Sequence, residues 1–341
     1  MPNLSASPKH QKRLLSGMRP TGRLHLGNYV GALENWVRLQ HEYASHFFVA
    51  DWHTLTTDYK HTRAIPENTV EMVTDWLAAG LVPEKSPIFV QSQVKQHAEL
   101  HLLLSMLITK ARLERNPTLK EQVRELALDV GDAGITLGHL SYPVLQAADI
   151  LMYRGEVVPV GEDQLPHIEI SRELARRFNN EFAANHPVFP EPEGLLTAFA
   201  RLPGLDGNRM SKSVGNTILL SDPPEQIQKS MRTAITDPQK IRRGDPGRPD
   251  ICLVFTYHQK FNPNEIVEIR SGCESGALGC VECKQRCATS IIRHLAPFQE
   301  KRVHFAEHPD EVTGIIRGGT ERARRVAAET MDAVHEAMGF G

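Results

Sequence analysis

Short apolar runs alternate with helix-length segments through the first half of this 341-residue chain, and that alternation constrains the fold more than any other feature. "RLLSGM" (13–18), "SHFFVAD" (45–51), "PIFVQS" (87–92) and "VVPV" (157–160) read as buried strands. One helix-length segment runs from Gly27 to Tyr43. Another runs from about Pro66 to Ala79, with Val70, Val73 and Leu77 on one face and Gly80 as its stop. Strand, helix, strand, helix implies a parallel α/β sheet with right-handed crossovers. Ligands of such sheets sit at the carboxyl ends of the strands.

The length suits about two domains. A boundary is expected near "PGLDGNRMSKSVGN" (203–216), with mostly helical sequence beyond it, broken at "RRGDPGRPD" (242–250). The last segment spaces Val326, Thr330, Val334 and Met338 four apart, as in an amphipathic helix. No apolar run reaches the ~18 residues of a membrane span. "MPNLSASPKHQKR" has no apolar centre, so it reads as a short disordered tail rather than a secretory signal, and the chain is expected in the cytoplasm. A net charge of −2 argues against a chain coated in basic charge for nucleic acid. A nucleic-acid partner must use a local patch, and residues 228–250 hold six Lys/Arg against three Asp.

Three short motifs carry chemistry. "GMRPTGRLHLGN" (17–28) ends a strand at Met18, turns through proline and glycine, and opens a helix near Gly27. A helix N-terminus offers unpaired N–H groups and a positive dipole end, which suit phosphate. Gly27 permits close approach of a nucleotide, and His25 can donate to a phosphate oxygen. "NRMSKSVGN" (208–216) reads as a mobile loop whose Lys212 reaches phosphates and stabilises charge that develops in transfer. "VPVGEDQ" (158–164) places polar groups at a strand's carboxyl end, where Asp163 can accept from ribose hydroxyls. Each motif alone also fits an ordinary turn or linker.

Taken together they are specific. "HLGN" and "RMSKS" resemble the HIGH and KMSKS signatures of class I aminoacyl-tRNA synthetases. With "YPVLQAADILMY" (142–153) ahead of "VPVGEDQ", the chain resembles the bacterial tryptophanyl-tRNA synthetases from Arg13 to its last helix. The resemblance implies a Rossmann-type catalytic domain over 13–204, with a dimer-interface insertion at about 93–145 and a disordered tail over 1–12. It implies a KMSKS-like loop at 205–216, a helical anticodon-binding domain over 217–319, and a final helix, 320–341, packing back on the catalytic domain. A homodimer is implied, as is tRNA(Trp) as a partner.

The resemblance also assigns residues. ATP, carried with Mg2+, is expected on Arg19, Pro20, Thr21, Gly27 and Asn28, on Gly161, Glu162 and Asp163, on Leu202 beneath the adenine, and on Arg209, Met210, Ser211, Lys212 and Ser213. His25, Arg209 and Lys212 are the expected catalytic groups. L-Tryptophan is expected against Asp149, which accepts the indole N–H, with Tyr142 and Gln164 on its ammonium. Leu15, His53, Gln146, Val158 and Val160 line the remainder of that pocket. Indole N–H only donates, so its partner must accept. A carboxylate in the apolar stretch around position 149 would be costly if left unpaired.

The implied reaction has two steps and no protein nucleophile: tryptophan carboxylate attacks the α-phosphate of ATP, then the acyl group passes to the 3′ end of tRNA. Three positions depart from the family's pattern. Arg209 stands for the first KMSKS lysine, Gln146 for a common methionine, and Leu15 for a common aromatic. The sister tyrosyl enzymes share much of "YPVLQAAD" but place a tyrosine where Leu15 stands. A paralogue that binds tRNA without charging it is the other alternative; the intact ATP motifs argue against it.

Cys252, Cys273, Cys280, Cys283 and Cys287 are the chain's only cysteines. Disulfides are disfavoured in a cytosol. Four thiolates suit a structural zinc or a [4Fe–4S] cluster, and spacing alone does not separate these. By resemblance to a synthetase subset that carries C–x6–C–x2–C after an earlier cysteine, the expected ligands of a [4Fe–4S] cluster are Cys252, Cys273, Cys280 and Cys283. The first gap is about two residues shorter than in that subset, so Cys287 is spare or replaces Cys252.

Overall fold

A computed structural model describes residues 11–118, 135–196 and 202–340. Most of the expected tail and part of the expected 93–145 insertion lie outside the described residues. The strands are β1 (Arg13–Met18), β2 (Ala44–Val49), β3 (Ile88–Val90), β4 (Val157–Val160) and β5 (Glu193–Leu196). They form one parallel sheet in the order β3-β2-β1-β4-β5. Four of the strands match the apolar runs of the sequence. The fifth, "EGLL", is short and half exposed, so it has no continuous apolar signal.

The sheet is buried on both faces because strand side chains alternate. Leu14, Phe47, Val49, Ile88 and Val90 enter one core; Leu15, Phe48, Phe89, Val158 and Val160 enter the other. The first core is covered by the Ile65–Ala79 helix and by the helical C-terminal part. The second is covered by helices Gln96–Ser105, Tyr142–Met152 and Leu165–Phe182. The Ile65–Ala79 helix ends at Gly80, as the sequence implies, with φ +110°. Between Leu26 and Leu39 the expected helix forms, but it widens to a π-turn over Tyr29–Leu33. Such turns cluster at functional sites.

β1 and β4 are neighbours from which the chain leaves in opposite directions, toward β2 and toward β5. That is the switch point where doubly wound sheets open a crevice. Residues 19–25 follow β1 and residues 161–164 follow β4, so the two motifs meet there.

The final helix starts earlier than the sequence reading placed it. It runs unbroken from Pro309 to Met338, so the expected boundary at 319/320 falls inside a helix. Tertiary packing carries the helix through Gly318 and Gly319 despite the weak helix propensity of glycine. Val312 and Ile316 pack in the first core; Ala323, Ala327, Met331 and Val334 pack in the second. The helix therefore passes around the sheet edge. Gly319 makes the crossing, so close to β3 that a Cβ there would lie 1.9 Å from the Ile88 carbonyl oxygen. Among the described residues no helix is long and apolar enough to cross a membrane.

One buried ion pair joins the C-terminal part to the turn after β1. Asp75, on the Ile65–Ala79 helix, is fully buried. It accepts from the Leu24 backbone N–H at 2.7 Å and from Arg302 Nε at 2.7 Å. Arg302 Nη2 also reaches Glu71 Oε2 at 2.5 Å, and Arg23 Nε reaches the same oxygen at 2.9 Å. Burial pushes the Asp75 carboxyl up, and the Arg302 charge only partly opposes it.

Candidate active site

His25 folds the turn after β1 into a capping box. Its Nδ1 accepts from the Asn28 N–H at 3.2 Å, and Asn28 Oδ1 accepts from the His25 N–H at 3.2 Å. The bond at Nδ1 leaves the neutral ring's proton on Nε2, where it can be donated. Burial, then the charges of Lys212 and Arg209, hold the His25 pKa down to about 4. At neutral pH it is a dipolar donor and not a cation.

The 208–216 loop lies against this turn. The Gly27 N–H donates to Met210 Sδ at 3.2 Å. A Cβ on Gly27 would sit 2.9 Å from that sulfur and 3.0 Å from His25 Nδ1, so a larger residue would have to push the Met210 side chain off the turn. Lys212 Nζ donates to the carbonyls of Thr21 and Arg23, the latter at 2.9 Å. Burial lowers the Lys212 pKa, while Asp75 opposes the shift. Asn216 braces the loop: its Oδ1 accepts from the Ser211 N–H at 2.8 Å, and its Nδ2 donates to the Arg209 carbonyl at 3.0 Å. Ser211 and Ser213 share a 2.8 Å hydroxyl contact. Leu202 is buried in the same core as Met210. Arg19 donates to Thr57 Oγ1 at 3.1 Å. Pro20 is buried beside it, and Thr21 is exposed.

After β4, Glu162–Gln164 makes one 3-10 turn on Gly161. The Asp163 carbonyl accepts from Thr118 Oγ1 at 2.8 Å.

Between the two motifs lies a cavity of about 260 Å³. All eight residues expected in the amino-acid pocket line it: Leu15, His53, Tyr142, Gln146, Asp149, Val158, Val160 and Gln164. Arg19 and Gly161 line it as well. The reasons are local. Tyr142, Gln146 and Asp149 are spaced four and three apart on one helix, hence on one face. Val158 and Val160 alternate on β4 and share a face.

Asp149 is 1% exposed, and three donors hold it. His53 Nε2 bonds Oδ2 at 2.7 Å and His97 Nδ1 bonds Oδ1 at 2.6 Å. Gln91 Nε2 spans both oxygens at 2.8 and 2.9 Å. Burial pushes the Asp149 carboxyl up, but the His53 and His97 hydrogen bonds outweigh it and hold the pKa at about 2. Asp149 is ionised and only accepts. His97 Nε2 pairs with the Tyr153 hydroxyl at 2.8 Å. His167, 1% exposed, donates from Nδ1 to Gln146 Oε1 at 3.0 Å and to Gln164 Oε1 at 3.2 Å. Burial holds His167 down to about 4, so it is neutral.

Gln91, His97, Tyr153, His167 and Asn216 escaped the sequence reading as site residues. His97 lies in "KQHAELHLLL", which reads as a core helix, and its partner Asp149 is 52 residues away. No local pattern marks that pairing.

The cysteines form a separate group in the C-terminal part. Cys252 precedes the Leu253–Phe261 helix, Cys273 lies on Ile266–Glu274, and Cys280, Cys283 and Cys287 share one face of Cys280–Glu307. All five are free thiols. Burial, then the neighbouring Cys252, Cys273 and Cys280 sulfurs, push Cys283 up to about 12. Cys287 is fully buried among apolar side chains. Among the described residues no three His, Cys, Asp or Glu side chains converge on one ion. A tetrahedral zinc would need sulfurs about 3.8 Å apart.

The basic stretch 228–250 is less available than its composition implies. Lys240 is buried with Nζ on the Cys273 carbonyl at 3.0 Å, and Arg248 forks onto Asp237 at 2.6 and 3.0 Å. Lys229, Arg232, Arg242 and Arg243 are exposed.

Comparison with known proteins places this geometry in context. A family model described as tRNA synthetases class I (W and Y) matches residues 7–296. A tryptophan–tRNA ligase of Thermotoga maritima is 50% identical over 329 residues, covering 96% of this chain and 98% of that protein. One of Aquifex aeolicus is 42% identical, covering 96% and 99%. A Campylobacter jejuni tryptophanyl-tRNA synthetase crystallised with ADP and tryptophan superposes with a TM-score of 0.83 at 31% identity, covering 96% and 99% of the two chains.

Proposed function

This chain belongs to the class I tRNA synthetases of the W and Y family, and from that premise we infer that it is a tryptophan–tRNA ligase. It joins L-tryptophan to ATP as tryptophanyl-adenylate, releases pyrophosphate, and passes the acyl group to the 3′ end of tRNA(Trp). The observation that carries the reading is the cavity of about 260 Å³ at the switch point, lined by Arg19 of the turn after β1 and by Gly161 and Gln164 of the turn after β4. An adenylate must span such a junction. Leu15, 1% exposed, supplies the wall where a tyrosyl enzyme would need a hydrogen bond.

The protein supplies position and charge and no covalent step. ATP, arriving with Mg2+, lies over Arg19–Thr21, Gly27, Asn28 and Gly161–Asp163, with the adenine on Leu202. His25 donates from Nε2 to a phosphate oxygen; Arg209 and Lys212 meet the charge that builds on pyrophosphate. Lys212 is held by two backbone carbonyls of the turn. Exchanging those carbonyls for phosphate oxygens closes the loop on ATP. Tyr142 and Gln164 orient the ammonium of tryptophan. The test is ATP–pyrophosphate exchange, expected with tryptophan and not with tyrosine. In that assay Lys212→Ala is expected to lower kcat about 10²-fold with a small change in KM for ATP. A pure KM effect removes the transition-state role, and exchange driven by tyrosine overturns the substrate assignment.

Cys252, Cys273, Cys280 and Cys283 are the proposed ligands of a [4Fe–4S] cluster. One feature supports it: their thiols lie within electrostatic reach of one another. Cys287, committed to the apolar core, is the poorer ligand. The cluster's contribution is to tie three helices together beside the exposed Arg242 and Arg243, where tRNA phosphates are met. Leu102, Met106 and Leu137 are exposed apolar side chains in the 93–145 region, and they support a homodimer through that face. The reaction places the enzyme in the cytoplasm with its tRNA. Anaerobic purification under light scattering is expected to give a dimer absorbing at about 400 nm with about four irons per chain. A colourless protein with one zinc per chain overturns the cluster.

A further inference from the structure

We propose that Tyr59, with Lys60 and Arg63, is the platform on which the unpaired 3′ end of tRNA lies when it takes the acyl group. The inference rests on the ligase reading and gives the second step of that reaction a positioning residue.

That step makes its own geometric demand. A terminal ribose hydroxyl oxygen must reach the acyl carbonyl and form the ester. The bond from that carbonyl to AMP breaks, and the hydroxyl proton leaves on the AMP phosphate. The last nucleotides must therefore be held in one orientation at the mouth of the tryptophan cavity. Helix Asp51–Asp58 leads there. Its His53 lines the cavity. Thr57, four residues on and so on the same face, accepts from Arg19, which also lines the cavity. Tyr59 caps the helix. It stands about 9 Å along the helix axis from His53. Beyond it the chain passes the turn after β1. A Cβ on Gly22 would lie 2.9 Å from Asn68 Oδ1 and 3.7 Å from Lys212 Nζ. The segment 57–68 thus borders the site from Arg19 to Lys212, and its residues 57–64 are all exposed.

The chemistry of this border suits a single strand. Tyr59 is 60% exposed, and among the described residues Phe340 is the one other Phe, Tyr or Trp so open to solvent. A lone exposed ring is ordinary; its neighbours decide what it can do. Lys60 and Arg63 flank it, both exposed, and among the described residues neither forms an ion pair. The acid of the segment, Asp58, is taken by His61 at 2.6 Å. An aromatic face between uncommitted cations binds single strands, because bases stack on the ring while phosphates meet the charges. A protein partner would call for apolar neighbours. Ala64 is the only other apolar residue over 57–64.

The experiment separates the two steps. Enzyme loaded with tryptophanyl-adenylate is mixed with subsaturating tRNA(Trp), and the single-turnover rate of acyl transfer is measured beside ATP–pyrophosphate exchange. In Tyr59→Ala transfer is expected to slow about tenfold or more, while exchange stays within about twofold. Tyr59→Phe keeps the ring and is expected to restore transfer. Replacing both cations, Lys60→Ala with Arg63→Ala, is expected to flatten the slope of log KM for tRNA against log salt by about 1.4, the share of two phosphates on a single strand. Unchanged transfer in Tyr59→Ala overturns the proposal. So does exchange that falls in step with transfer, which would mean that the segment serves ATP. If the unmodified enzyme shows no tryptophan-driven exchange, the ligase reading itself fails.

Discussion

Arg302→Ala is expected to destabilise the fold by about 3–5 kcal/mol, because it removes the cation from a buried carboxylate. Asp75 has no exposed surface, and Arg302 is its charged partner at 2.7 Å. What remains to it is the Leu24 N–H, at 2.7 Å. The sign with pH follows from the raised pKa. Protonated Asp75 needs no cation, so the deficit shrinks as pH falls and is fully present at neutral pH. Urea unfolding at pH 7 and at about pH 5 measures both effects. A loss under about 1 kcal/mol at pH 7 means the pair is not what joins the C-terminal helices to the turn after β1. The pair has a catalytic corollary. Leu24 precedes His25, so loosening Asp75 also loosens the turn on which ATP is proposed to lie.

Asp149→Asn is expected to reduce kcat/KM for tryptophan about 10³-fold while changing the KM for ATP little. The carboxylate is met only by donors, and an asparagine amide turns two hydrogens toward them. Reversing a His–carboxylate pair in this way puts the proton on the wrong ring nitrogen, a change that costs other enzymes about 10⁴-fold. The prediction rests on the ionised carboxylate, which asparagine lacks. An unchanged kcat/KM would remove Asp149 from the pocket. A pH signature accompanies it. With its pKa lowered from 3.8 to about 2, Asp149 contributes stability that is complete above its unfolded value and is lost as pH falls toward 2. The asparagine variant lacks that acid limb.

Much of the frame was legible because it is written in local patterns. Four strands, the Ile65–Ala79 helix with its glycine stop, and the two motif turns follow from runs and spacings within about twenty residues. The eight pocket residues were legible through the family resemblance, and their spacing explains why they share a cavity. What stayed hidden is held by partners far apart in sequence. Gln91 and His97 reach Asp149 across 58 and 52 residues, and Arg302 reaches Asp75 across 227. A buried histidine in an apolar helix looks the same in sequence whether it fills space or orients a carboxylate. The π-turn at Tyr29–Leu33 was hidden for another reason: a one-residue widening barely alters a period of 3.6. The unbroken Pro309–Met338 helix was only partly legible, because the amphipathic spacing was read from residue 320 onward while Gly319, inside the helix, is a packing device.

That device has a consequence for how the molecule lives among copies of itself. The Phe47 N–H bonds the Pro87 carbonyl, so alternation turns the N–H and carbonyl of Ile88 outward, away from β2. Those outward groups are the hooks by which a foreign strand could extend the sheet into an aggregate. Gly319 lies directly on them, and Arg324 Nε fastens the helix to the Gln93 carbonyl at 2.9 Å. The last helix thus acts as a selvedge: it finishes the raw border of the sheet so that the weave stops at one molecule. Until that helix is made and laid down, the border is open, and the newly synthesised chain is at its most adhesive.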